Sequence, residues 1–150
     1  MFMDSSLEFA DAASIGAPNN STVNVGSTVD SDQARDLGAG QPVYLIITVD
    51  TAVTSGGAAT VRFGLVSDGT STIATDGTAT EHVTSHDVPV ASLVAGYTQV
   101  IPLPSVNPSY ERYLGFQAQE TAGQALTAGN INAFLSLDPH GWQSYADNEK

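Results

Sequence analysis

His82, His86 and Asp87 are the first side chains in this 150-residue chain whose types and spacing could do chemistry. Two imidazoles four residues apart share one metal ion when the backbone between them is helical. The segment Glu81-His82-Val83-Thr84-Ser85-His86-Asp87-Val88-Pro89 instead reads as strand and turn. On an extended chain four residues span about 13 Å, too far for two ligands of one zinc ion. Asp30, Asp32 and Asp36 suggest a calcium loop, but Ala34 and Arg35 stand where an EF-hand needs an oxygen ligand and a glycine. No metal site is expected. A catalytic nucleophile is not expected either, because the chain has no cysteine and no Gly-x-Ser-x-Gly elbow. His140 falls in Asp138-Pro139-His140-Gly141, a turn sequence, and Gly38-Ala39-Gly40 leads into Pro42 and a strand rather than a phosphate-binding helix. Sequence alone places no two of the 16 carboxylates at the separation of about 5 to 9 Å that glycosidic hydrolysis requires. The expectation is a protein without catalytic activity and without a cofactor.

The elements around these residues are short strands. Glycine and proline punctuate the chain at Ser55-Gly56-Gly57, Asp68-Gly69, Asp76-Gly77, Ala95-Gly96, Asn107-Pro108, Ala122-Gly123 and Gly129-Asn130, a spacing that favours strands over helices. Val61, Phe63 and Leu65 alternate with Thr60, Arg62 and Gly64, and Ile131, Ala133, Leu135 and Leu137 alternate with Asn132, Phe134 and Ser136. A period of two puts one face in and one face out. In residues 43–49 both alternating sets are apolar, which marks a central strand covered on both faces. Further strands are expected at 22–26, 78–84, 97–103 and 112–119, giving about eight. Residues 118–126 hold the best helical composition, yet Gly123 interrupts it and a turn is expected. Eight antiparallel strands predict an all-β, two-sheet jelly-roll sandwich. Its core is expected to hold Tyr44, Ile46, Val49, Phe63, Leu65, Ile101, Leu114, Phe116, Leu135 and Leu137.

The ends differ from the middle. Residues 1–20 scatter Phe2, Leu7, Phe9 and Ile15 among small and polar residues and read as an extended N-terminal arm. Residues 21–138 form the sandwich, and 139–150 a tail that carries Trp142 and Tyr145. These aromatics either fold back on their own domain or dock on another subunit. With 4 basic and 16 acidic residues the net charge is −12, a sign that repels a phosphate backbone, so no nucleic-acid partner is expected. The apolar run Val43-Tyr44-Leu45-Ile46-Ile47 is far short of the roughly 20 residues of a membrane helix, and no membrane partner is expected. The first nine residues carry two acids and no base, so no secretory signal is expected, and the sequons at Asn19 and Asn20 read as loop composition.

Four blocks in order carry a resemblance. They are Arg35-Asp36-Leu37-Gly38-Ala39-Gly40-Gln41-Pro42-Val43-Tyr44-Leu45-Ile46-Ile47; Leu93-Val94-Ala95-Gly96-Tyr97 leading to Ile101-Pro102-Leu103-Pro104; Glu111-Arg112-Tyr113-Leu114; and Thr127-Ala128-Gly129-Asn130-Ile131-Asn132-Ala133. From Leu7 to Asp138 the chain resembles the capsid cement, or decoration, proteins of short-tailed double-stranded DNA bacteriophages. The resemblance implies a jelly-roll protein that acts as a homo-oligomer, dimer or trimer, on the outside of an icosahedral head. It would bridge copies of the major capsid protein after synthesis in the host cytoplasm. Phe2, Leu7, Phe9, Arg112, Trp142 and Tyr145 are the expected contact residues, although Arg112 could equally pair with an acid of its own domain. The competing class is a carbohydrate-binding β-sandwich of a virion fibre or tail, with Trp142, Tyr110 or Tyr113 as the stacking platform.

The charge balance yields a direct test. Even near 10 mM salt, where screening is weakest, the protein should leave the mobility of double-stranded DNA unchanged in a gel. A shifted band at micromolar protein would contradict this.

Overall fold

The computed structural model describes residues 5–34, 37, 40–105 and 108–139. Among them the regular elements are β1 (Glu8–Ser14), β2 (Thr22–Asn24), β3 (Val29–Asp30), β4 (Tyr44–Ser55), β5 (Thr60–Asp68), β6 (Thr80–Thr84), β7 (Val88–Pro89), β8 (Thr98–Pro102), β9 (Tyr113–Glu120) and β10 (Leu126–Ser136). Two single 3-10 turns, Ser5–Leu7 and Val90–Ser92, complete them. The strands form two antiparallel sheets. One has the order β1-β10-β4-β8; the other has the order β2-β9-β5-β6, with β3 beside β9 and β7 beside β5.

The pairing is nested. β1 pairs with β10, β2 with β9, β4 with β8, and β5 with β6. The chain thus doubles back like one long hairpin whose tip is β5–β6. Rolling that hairpin sets β10 beside β4 and β9 beside β5, which is the jelly-roll arrangement. Leu45, Ile47 and Val49 of β4 and Ile131, Ala133 and Leu135 of β10 face Val61, Phe63 and Leu65 of β5 and Leu114, Phe116 and Ala118 of β9 across the core. Each large aliphatic or aromatic side chain buried there contributes about 1.5–3 kcal/mol. Phe63 and Phe116 stack with ring centroids 5.8 Å apart.

Several expectations need correction. The segment read as an arm is, from Glu8 onward, a strand of the sandwich: Phe9, Ala10, Ile15 and Ala17 are all buried in the core. Two register shifts along β1 and a positive φ of 46° at Ala12 break the period of two, which is why alternation does not reveal the strand. Leu137 lies one residue beyond the end of β10 and is 56% exposed rather than buried. Tyr44 and Ile101 are only half-buried, because Tyr44 begins β4 on the outward face and Ile101 sits on the edge strand β8. Ile46 is fully buried but on the outward face of its sheet, paired with Phe134.

Close backbone contact joins the sheets. Gly26 follows β2 with φ of 72°, and a Cβ there would stand 1.9 Å from the carbonyl oxygen of Phe9. This closeness lets Ser27 N–H donate to Phe9 O at 2.6 Å. Glu120 is the second tie. It continues the inward set of β9 and is fully buried, yet its carboxylate accepts N–H bonds from Asn20, Ala122 and Gly123 at 2.7 to 2.9 Å. Burial opposes its charge, but backbone N–H groups of Asn20, Ala122, Gln124 and Gly123 together outweigh burial and hold its pKa below 4.5.

A carboxylate with a depressed folded-state pKa contributes stability above its unfolded pKa and loses that contribution as pH falls. Stability should therefore drop as pH falls below 4.5. Glu120→Gln turns an N–H₂ toward backbone donors and should cost about 1–3 kcal/mol at neutral pH. The same variant should flatten the acid limb of the unfolding curve. Chemical denaturation across pH measures both effects, and an unchanged midpoint would refute the role of Glu120.

Candidate functional site

His82, whose type and spacing suggested chemistry, is tied up inside the fold. Ser67 ends the inward set of β5, and its Oγ lies 2.7 Å from His82 Nε2 on β6. A hydroxyl and an imidazole at this distance are the components of a nucleophile and base pair. Here Ser67 is fully buried and its Oγ also accepts the Glu111 N–H at 3.0 Å. Oγ thus stands between the Glu111 N–H and the His82 ring, engaged by both. The Tyr110 ring stacks on the imidazole with centroids 3.9 Å apart, and the Tyr110 hydroxyl donates to Pro104 O at 2.7 Å. The group ties Tyr110 and Glu111, ahead of β9, to the end of β5, and Ser67 has no exposed surface.

Burial lowers the His82 pKa, with the Pro108 carbonyl and the Glu111 carboxylate acting in the opposite direction. Burial also pushes the Tyr110 hydroxyl up to about 12. Tyr110 is only 3% exposed, so it offers no face to a sugar ring. Tyr113 carries the Arg112 guanidinium over its ring at 4.9 Å. Trp142, the third proposed platform, lies outside the described residues. A polar groove of about 150 Å³ runs over the outer face of the six-stranded sheet, lined by Arg62, Glu81, Thr84, Gln117 and Gln119 among others, with no aromatic wall.

The charged candidates pair within the chain. Arg112 makes a two-pronged contact with Asp30, Nε to Oδ1 and Nη2 to Oδ2, both at 2.8 Å. The guanidinium holds the Asp30 carboxyl down to about 2, and the Asp32 N–H assists. Arg112 is therefore paired within its own domain. Arg62 likewise pairs with Asp87 at 2.9 Å. His82 is buried while His86 is exposed, and among the described residues no three His, Cys, Asp or Glu side chains cluster. Asp36, Arg35 and His140 lie outside the described residues.

Two of the exposed large apolar side chains among the described residues stand at one corner of the four-stranded sheet. β1 and β10 are antiparallel, with Glu8 opposite Phe134, so the start of β1 and the end of β10 lie together. Leu7 immediately precedes this point and is 37% exposed; Leu137 immediately follows it and is 56% exposed. Phe2, Trp142 and Tyr145 lie outside the described residues, but all three are joined covalently to this corner through Leu7 or Leu137. Phe9, the remaining expected contact, is buried and cannot bridge subunits.

A family model described as Bbp16 matches residues 9–135 of the chain. No curated protein matches it.

A lowered imidazole pKa makes stability highest where the ring is neutral and reduces it as pH falls below the unfolded value of about 6.5. His82→Gln should therefore lessen the fall in thermal midpoint between about pH 7.5 and pH 5.5. An identical fall in the two proteins would show that His82 is not linked to folding.

Proposed function

Because this chain belongs to the Bbp16 family, a phage-associated one, we propose that it is a capsid cement protein. It binds the outer surface of an icosahedral phage head as a homo-oligomer and bridges neighbouring major capsid protein subunits. The observation that carries this reading is the family match across residues 9–135, the span that holds the jelly roll from Phe9 in β1 to Leu135 in β10. Three physical features support it. A net charge of −12 keeps the protein off the DNA inside the head. Ser67, His82, Arg62 and Arg112 are engaged in internal contacts. Exposed Leu7 and Leu137 flank the corner where the start of β1 meets the end of β10, and a small apolar contact repeated over a lattice holds firmly through effective concentration.

The docking corner predicts a separation of binding from folding. Leu7→Asp with Leu137→Asp changes only exposed positions, so the cost to stability should stay within about 0.5 kcal/mol. Occupancy on undecorated heads, read by sedimentation with the heads, should fall by about tenfold or more. Equal occupancy of the double variant would remove the corner from the interface. Failure of the unaltered protein to bind heads at all would overturn the cement reading.

A further inference from the structure

Most sheet edges in this sandwich are blunted against pairing. β1 has two register shifts, a positive φ at Ala12, and the acids Glu8 and Asp11. β2 is three residues long, and β6 carries Glu81 and pairs with β5 through a register shift. β8 has a single such device, the proline at its end, Pro102. Its five residues, Thr98-Gln99-Val100-Ile101-Pro102, pair with β4 in unbroken register and carry no charge. Such an edge is a template for another strand.

The register shows what that strand must be. Val49 N–H donates to Tyr97 O and Leu103 N–H donates to Val43 O, each at 2.9 Å. Antiparallel alternation then points the backbone groups of Gln99 and Ile101 toward β4 and those of Thr98, Val100 and Pro102 away from it. Proline has no N–H, so the free edge offers two donors, on Thr98 and Val100, and three carbonyls.

We propose that the β8 edge pairs antiparallel with β8 of a second copy of this chain, about a two-fold axis at Val100. In that register the Val100 residues of the two copies exchange N–H···O bonds with each other. Each Thr98 N–H meets the carbonyl of Pro102 of the partner subunit. Every outward donor finds an acceptor, and the missing N–H of Pro102 leaves no donor unused. Between chains of charge −12, an uncharged strand is also a suitable place for two copies to touch. On the outward face Val100 stands beside Ile46, and Ile46 beside Phe134. Pairing at Val100 joins these rows into one apolar stripe across an eight-stranded sheet and sets the two Val100 side chains, each 36% exposed in the single chain, beside each other.

The inference gives the homo-oligomer of the proposed function its interface. Its test uses the free protein in solution, so its failure leaves capsid binding standing and the failure of capsid binding leaves the dimer standing. The chain has no cysteine, so Val100→Cys introduces a single thiol at the axis, and Val94→Cys, at an exposed position outside β8, serves as the control. Val100→Pro removes an outward N–H without touching a bond to β4. Sedimentation equilibrium should give twice the 15.5 kDa chain mass for the unaltered protein. Under mild oxidation the Val100→Cys protein should form a disulfide dimer far faster than the Val94→Cys protein. Val100→Pro should weaken self-association by about tenfold or more with an unchanged circular dichroism spectrum. A monomer at all concentrations, equal cross-linking rates of the two cysteine variants, or full dimerisation of a folded Val100→Pro protein would each overturn the proposal.

Discussion

The ladder between β4 and β10 is the constraint on which the sandwich depends. Nine residue pairs join these strands, from Leu126 opposite Ser55 to Ser136 opposite Tyr44. The strands lie far apart in sequence, so this pairing closes the rolled hairpin and turns two nested halves into one core. A shift of one residue would carry Leu45, Ile47 and Val49 to the outward face and expose them. The apolar run from Tyr44 to Val49 resists that shift less by alternation than by position, because β4 is flanked on both sides, by β10 and β8.

Once the core is closed, its polar occupants act as ties. Glu120 at one end of the β5–β9 ladder gathers the Asn20 and 122–124 backbone, and Ser67 with His82 at the other end gathers the loop before β9. Asp30 and Arg112 fix β3 beside β9 from the surface. His82, Asp30 and Arg112, which stand out in the sequence as chemical candidates, thus hold loops and strands in place. The corner marked by Leu7 and Leu137 and the edge of β8 carry no such ties, and the proposed contacts are assigned to them.

Strong period-two patterns were legible in the sequence. Phe63, Leu65, Leu114, Phe116 and Leu135 face the core as their alternation requires, and the doubly apolar stretch of β4 is central in its sheet. β1 was not legible, because its register shifts scramble the alternation that would have distinguished a strand from an arm. Glu120 was hidden for a different reason. Its role depends on backbone donors from Asn20, a hundred residues away, and no local pattern records a bond to a distant N–H. The Arg112 pair with Asp30 and the burial of Tyr110 are likewise long-range facts, which is why the sequence left Arg112 open between two readings and offered Tyr110 as an exposed platform.

Cryo-electron microscopy of phage heads incubated with this protein tests the cement role most directly. The account predicts β-sandwich density on the outside of the shell, spanning adjacent capsid subunits, with the corner of Leu7 and Leu137 turned toward them. Bare heads in the presence of excess folded protein, or density confined to the tail, would contradict it.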